Sequence, residues 1–405
     1  MTSAPALSSL EIATGMVFGT RAGVLGEPTG VTPLQAMEEA ILPALLREPC
    51  LVSFSGGRDS SAVLAVATAL ARREGLPLPI PATNVFPAQR ETDETRWQER
   101  VVRHLELEEW VRIEHTTELD AVGPYARRLL AKHGLLWPFN VYFHCPLLQA
   151  AAGGSLLTGV GGDELFSAAT RDRLPMIMTR QARPEPRDLL RLGFGAMPRL
   201  VRRAVLARRV EAVLPWLRAD AQRRLLYVLA DTEAGIPRRL AGRMTWTRMS
   251  RYLEVGTAAL ALAAEDEDVR IVHPLLAMAL WAEVSRVAGS VGFSGRTEGM
   301  RRIFGALLPD EICARAGKAR FDGAMWTDTA RAHARSWDGE GVPTDTVDEQ
   351  ALAAHWRSDR PMANSFTLLQ ASWLSSAQGV EKQPHALAGP VPAAWPTQLD
   401  EGKAA

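Results

Sequence analysis

Residues 50 to 61 read CLVSFSGGRDSS, an apolar run that ends in a serine and two glycines and leads into an alanine-rich apolar stretch, residues 60–73. These residues support a short strand that stops at a glycine turn and feeds a helix. Such a turn gathers backbone N–H groups at the positive end of the helix dipole, which makes a cradle for phosphate. Gly56 and Gly57 let the backbone approach an anion with no Cβ in the way, and Ser55, Ser60 and Ser61 carry hydroxyls that can donate. Asp59 is the odd member, because a carboxylate repels phosphate unless a divalent cation, by ordinary preference Mg²⁺, lies between them. The loop has no lysine and is too short for GxxxxGK[ST], which excludes a Walker-type site. Taken alone, it fits equally well a glycine turn in which Asp59 and Ser60 cap the helix behind it. Arg58 has two readings, an added charge over the phosphates or a solvent-facing side chain; the second is preferred.

The same pattern repeats outward from this stretch. Leu34, Met37, Ile41, Leu42 and Leu45 follow helical spacing ahead of the first strand. Residues 80–86 read as a strand, 92–105 as a helix, 110–113 as a strand and 119–132 as a helix. A further helix, 145–152, precedes a strand at 155–159 that ends in a second glycine loop, GVGGDELF, residues 159–166. This alternation predicts an α/β fold with a parallel, doubly wound sheet. Both glycine loops fall at carboxyl ends of strands, where open α/β sheets bind ligands. Asp59 and Asp163 would then face each other across a cleft and share a metal.

Composition excludes several classes of function. The chain has 405 residues, with 46 Lys plus Arg balanced by 46 Asp plus Glu, so neither nucleic acid nor an anionic membrane is expected as the main partner. Cys50, Cys145 and Cys313 lie far apart with no CxxC spacing, which argues against a zinc site or a disulfide framework and points to a reducing cytoplasm. No signal-peptide pattern and no membrane-length apolar run is seen. The expected organisation is an N-terminal extension at 1–33, an α/β core carrying both glycine loops at 34–170, a mostly helical, arginine-dense lobe at 171–377, and a loose Ala/Pro-rich tail at 378–405.

SGGRDSS followed by GVGGDELF resembles the synthetase half of the asparagine synthetase family, which has a PP-loop ATP-pyrophosphatase (adenine nucleotide alpha hydrolase-like) fold and splits ATP to AMP and pyrophosphate. Thr92-Asp93-Glu94 resembles the family's Asp-Glu pair after the second strand, HPLL at 273–276 its PFLD segment, and residues 300–321 the stretch with its synthetase lysine. The resemblance implies ATP and Mg²⁺ as cofactors. It implies that Ser53, Ser55, Gly56, Gly57, Asp59, Ser60, Ser61, Val85, Gly159, Gly161, Gly162, Asp163 and Glu164 hold the nucleotide. It further implies that Asp59 and Asp163 ligate the metal and that Lys318 neutralises charge as an acyl-adenylate forms and collapses.

The chain also departs from the family. Only about fifty residues precede the first loop, too few for the glutaminase domain of full asparagine synthetases, and Thr2 stands where their nucleophilic cysteine does. Val160 replaces a glutamate, or the tyrosine of β-lactam synthetases, and can move no proton. Ala277 ends the HPLL segment where the family has aspartate. Arg315-Ala-Gly-Lys318 resembles the Arg-x-x-Lys of lasso-peptide macrolactam cyclases. Trp137, Asn140, Tyr142 and His144 are candidates to line an acyl-acceptor pocket, with His144 read first as a packed core histidine. The expected function is adenylation of a small-molecule or peptide carboxylate and amide formation with an amine, in specialised metabolite or lasso-type macrolactam biosynthesis, with a separate pathway partner as a further candidate. The alternatives are ammonia-dependent amidation and a catalytically idle ATP-binding partner protein.

Overall fold

The computed structural model describes residues 5–170, 197–207, 214–317 and 319–380, with isolated positions between 171 and 196. Two helices, α1 (Ser9–Thr14) and α2 (Pro33–Leu45), precede the sheet. The strands are β1 (Cys50–Ser53), β2 (Ile80–Val85), β3 (Val111–Glu114), β4 (Ser155–Leu157) and β5 (Arg270–Val272), in the order β3-β2-β1-β4-β5 with every pairing parallel. This is the expected doubly wound sheet. The strand order reverses between β1 and β4, so the crevice at their carboxyl ends is where such a sheet binds ligand.

Helices cover both faces. α3 (Arg58–Glu74) leaves β1 and α4 (Thr95–His104) leaves β2, α5 (Pro124–His133) and α6 (Cys145–Ala150) lie between β3 and β4, and α7 (Gly162–Ala168) leaves β4. The period-two alternation of β1 sorts its side chains. Cys50, Val52 and the following Phe54 join a core with α2, α3 and α7, whereas Leu51 joins one built on α5, α6 and the helix Arg251–Glu265. Small residues let α3 lie close between its neighbours, and everything from Ser60 to Ala67 is buried. Burial of Val63, Leu64, Val66 and Leu70 contributes about 1.5–3 kcal/mol for each side chain. That core fixes where the first turn of α3 points.

Two elements differ from the sequence patterning. The helix expected from residue 119 begins at Pro124, because buried Asp120 holds a turn by accepting from the N–H groups of Val122, Thr327 and Ala330 and from the Thr327 hydroxyl. β5 is a strand in a stretch that reads as helical, its three residues being too few to show alternation. It brings the chain back to the sheet edge beside β4.

A third core joins α1 to the helices that follow, around Trp216, Trp326, Trp356 and Phe366. Three carbonyls at the end of α1 are claimed by side chains: Ala13 by Trp216 Nε1 at 2.7 Å, Thr14 by Asn364 Nδ2 at 3.0 Å, and Gly15 by Trp137 Nε1 at 2.9 Å. Residues 381–405, most of the expected tail, and much of 171–213 lie outside the described residues.

Candidate active site

The first glycine turn leaves β1 and enters α3 with Gly57 as N-cap, φ −72° and ψ 162°, and no side chain caps the helix. Gly56 has φ +75°, a left-handed conformation that glycine adopts without a Cβ clash. Ser55 is exposed; its Oγ lies 3.2 Å from Ser60 Oγ and accepts from the Gly57 N–H at 3.3 Å. The N-cap of α3 is thus Gly57 rather than Asp59 or Ser60, which stand in its first turn. The uncapped start of a 17-residue helix, with hydroxyls beside it, is suited to an anion. Ser53 and Val85 stand half-buried at the ends of β1 and β2, the Val85 carbonyl accepting from the His115 N–H at 2.8 Å. Ser61 is fully buried below the turn with an unpartnered hydroxyl, unlike the open Ser55.

The second turn lies directly against the first. A Cβ at Gly159 would come within 2.9 Å of the Ser60 backbone nitrogen, and one at Gly162 would overlap the Asp59 carboxylate. Gly161, at φ +98°, starts α7 and packs on Leu276 of the HPLL segment. Arg243 anchors the far end of α7 by donating to the Ala168 carbonyl at 2.9 Å and the Thr170 carbonyl at 2.5 Å. Asp59 and Asp163 consequently converge, and both bind one guanidinium. Arg296 Nη2 lies 2.5 Å from each Asp59 carboxylate oxygen, and its Nη1 donates to Asp163. Arg296 escapes sequence reasoning because it is one of three arginines within seven residues and 237 positions from Asp59.

Arg58 does not project freely into solvent as preferred from sequence. It is half-buried, and burial and then repulsion from Arg296 lower its proton affinity while Asp59 and Asp163 raise it. Arg315 is buried beneath the loop, donating to the Gly56 carbonyl at 2.6 Å and pairing with Glu94, the last residue of the Thr-Asp-Glu motif. Its guanidinium also sits 4.9 Å from the Trp97 ring centroid. Lys318 itself lies outside the described residues. On its other side Arg320 N–H donates to the Glu91 carbonyl at 3.1 Å.

Beside the second loop, the ends of β4 and β5 carry a second group of polar side chains. Thr158 Oγ1 is 2.7 Å from His273 Nδ1 and accepts from the Val160 N–H at 3.3 Å. His144 and His273 are each held down to about 4, chiefly by burial, and for His273 also by its positive neighbours, so both imidazoles are neutral at neutral pH. Glu164 accepts from the Tyr252 hydroxyl at 3.4 Å, and burial followed by nearby Asp163 raises its carboxyl. The Trp137 ring meets Tyr252 edge-on at 6.1 Å. Of the sequence candidates, Trp137 and His144 belong to this side, whereas Tyr142 is sealed in the core.

These two loops at the strand-order reversal settle the relationship. Residues 40–378 match the asparagine synthase family model. The chain belongs to the asparagine synthase family. No curated protein matches it. The family joins carbon to nitrogen in carboxylate and amine substrates with ATP, typically with Mg²⁺. The residues present fit such a metal: two carboxylates from separate loops already converge on a single positive charge, and Mg²⁺ is ordinarily held by one or two carboxylates plus substrate phosphates. Among the described residues no group of three or more His, Cys, Asp or Glu forms a complete protein cage, and no helix is long and apolar enough to cross a membrane.

Proposed function

We propose that this asparagine synthase family member is an ATP- and Mg²⁺-dependent ligase that adenylates a carboxylate and transfers the acyl group to an amine. The convergence of Asp59 and Asp163 on one cation, beside the uncapped start of α3, is the observation that supports this most. Asp59 and Asp163 would hold the metal with the phosphates. Ser53, Ser55, Gly56, Gly57, Ser60, Ser61, Val85, Gly159, Gly161, Gly162 and Glu164 would form the nucleotide's surroundings, and Lys318 would offset charge on the transferring phosphoryl group. A carboxylate oxygen attacks the α-phosphorus and pyrophosphate leaves; the amine then attacks the acyl carbon, AMP leaves, and the amine's proton passes to a base. The neutral imidazoles and the Tyr252–Glu164 pair suit an organic amine as acceptor, in keeping with a role in specialised metabolite or peptide macrolactam formation. Cytoplasmic location belongs to the same reading.

ATP/pyrophosphate exchange with a panel of carboxylic acids and peptides is the direct test. Exchange is expected with at least one acid, and Asp59→Asn and Asp163→Asn should each abolish it with the circular dichroism spectrum unchanged. Full exchange in either variant would remove the metal assignment. ATP binding with no AMP released from any acid would leave a nucleotide-binding partner protein instead.

A further inference from the structure

Arg296 occupies the place where the two glycine loops bring their carboxylates together. It stands at the first position of the helix Arg296–Phe304, and its side chain is only 24% exposed. One terminal nitrogen spans both oxygens of Asp59, the other is on Asp163, and its Nε is buried with no partner. The guanidinium thus cross-links the loops. It also enters a local charge balance in which Arg58, Arg296 and Arg315 stand against Asp59, Asp163 and Glu94.

A guanidinium and a divalent cation cannot use the same inward-facing oxygens at once. When a cation takes them, Arg296 loses its partners, and the acceptors that arrive at the same moment are the phosphate oxygens of the nucleotide. A planar guanidinium matches phosphate as well as it matches carboxylate.

We propose that Arg296 is a built-in substitute for the divalent cation, pinning the two loops together before nucleotide binds and transferring to the nucleotide's phosphates when the metal takes Asp59 and Asp163. The inference rests on the reading above, that these carboxylates hold the nucleotide's metal. A corollary follows for the order of binding. Free Mg²⁺ has to displace an internal cation without compensation, whereas the Mg²⁺–nucleotide complex brings the displaced guanidinium a new partner. The protein therefore selects the complex over the bare ion.

Thermal melting tests this with purified wild type, Arg296→Gln, Arg296→Lys and the double variant Asp59→Asn/Arg296→Gln. Each is titrated with Mg²⁺ alone and with Mg²⁺ plus the non-cleavable analogue α,β-methylene-ATP. Wild type should melt at the same temperature with and without millimolar Mg²⁺, and higher with the complex. Arg296→Gln should melt lower in metal-free buffer, gain several degrees from Mg²⁺ alone, and bind the complex at least about tenfold more weakly, as expected for one lost charge-assisted phosphate contact. The gain from Mg²⁺ alone should vanish in the double variant. Arg296→Lys keeps the charge without the fork; it should fall between the two and carries the test if Arg296→Gln does not fold. If wild type binds the complex but neither single variant gains from Mg²⁺ alone, Arg296 is not the competitor and the proposal fails while the metal reading stands. Undiminished affinity of both single variants for the complex would overturn the transfer to phosphate. A gain from Mg²⁺ that survives in the double variant, or no binding of the complex by wild type, would instead remove the metal reading and this inference with it.

Discussion

The two glycine loops do similar work by different means. The first, Ser55 to Ser60, carries hydroxyls, an open N-cap and a buried arginine beneath it, with Gly57 in an ordinary extended conformation. The second, Gly159 to Asp163, has no hydroxyl of its own; Gly159 and Gly162 are there because the first loop passes against them, and Gly161 because of its positive φ and Leu276. One loop leaves backbone donors and hydroxyls open, and the other is shaped by what it leans on. A glycine-rich turn can therefore signal either ligand contact or close backbone packing, and the neighbouring loop decides which.

Removing the support of the first loop should produce the largest change. Arg315 and Glu94 have side chains 5% and 8% exposed, so Arg315→Met leaves a buried carboxylate alone and frees the Gly56 carbonyl. Urea denaturation should show a loss of about 3–5 kcal/mol. Adding Glu94→Gln should restore part of it; no restoration would mean that the first loop does not depend on this pair. An intermediate effect is expected from the glycines. Gly162→Ala forces a Cβ into Asp59 and should cost on the order of 1–3 kcal/mol. Gly57→Ala meets only Ser55 Oγ, at 3.2 Å, and should stay within about 0.5 kcal/mol in stability. Equal losses in the two variants would erase the distinction between the loops.

The smallest effect concerns protons. His144 and His273, beside the second loop, and His115, beyond the first at the end of β3, are all lowered from 6.5 to about 4 by burial. Between these values the unfolded chain binds more protons than the folded one, so stability is complete above about 6.5 and is lost as pH falls toward about 4. His273→Gln should flatten that slope by at most about 1.4 kcal/mol per pH unit, read from urea midpoints across the range. An unchanged slope would show that His273 is already solvated.

The strand-turn-helix units were legible because each is local: an apolar run, glycines at the turn, then helical spacing. So was the pairing of Asp59 with Asp163, once two such turns were seen on one sheet. Arg296 was not, since nothing in FSGRTEGMRRIF separates a cation aimed inward from its two neighbours. β5 was hidden for a related reason: its three residues take their strand conformation from pairing with β4, not from a pattern of their own. Arg58 read as solvated from a charge beside a turn, and it is half-buried, within electrostatic range of Arg296, Asp59 and Asp163.

The tied end of α1 bears on how the molecule assembles. Its three carbonyls take their partners from positions 122, 203 and 350 residues along the chain. Helix α1 thus has no completed seat until almost all of the described chain that follows it has been synthesised, and contacts of such long sequence separation form slowly. Trp137 is one of those partners and also borders Tyr252 beside the second glycine loop. That side of the cleft is accordingly expected to be finished late in folding, after the first glycine loop already stands on β1.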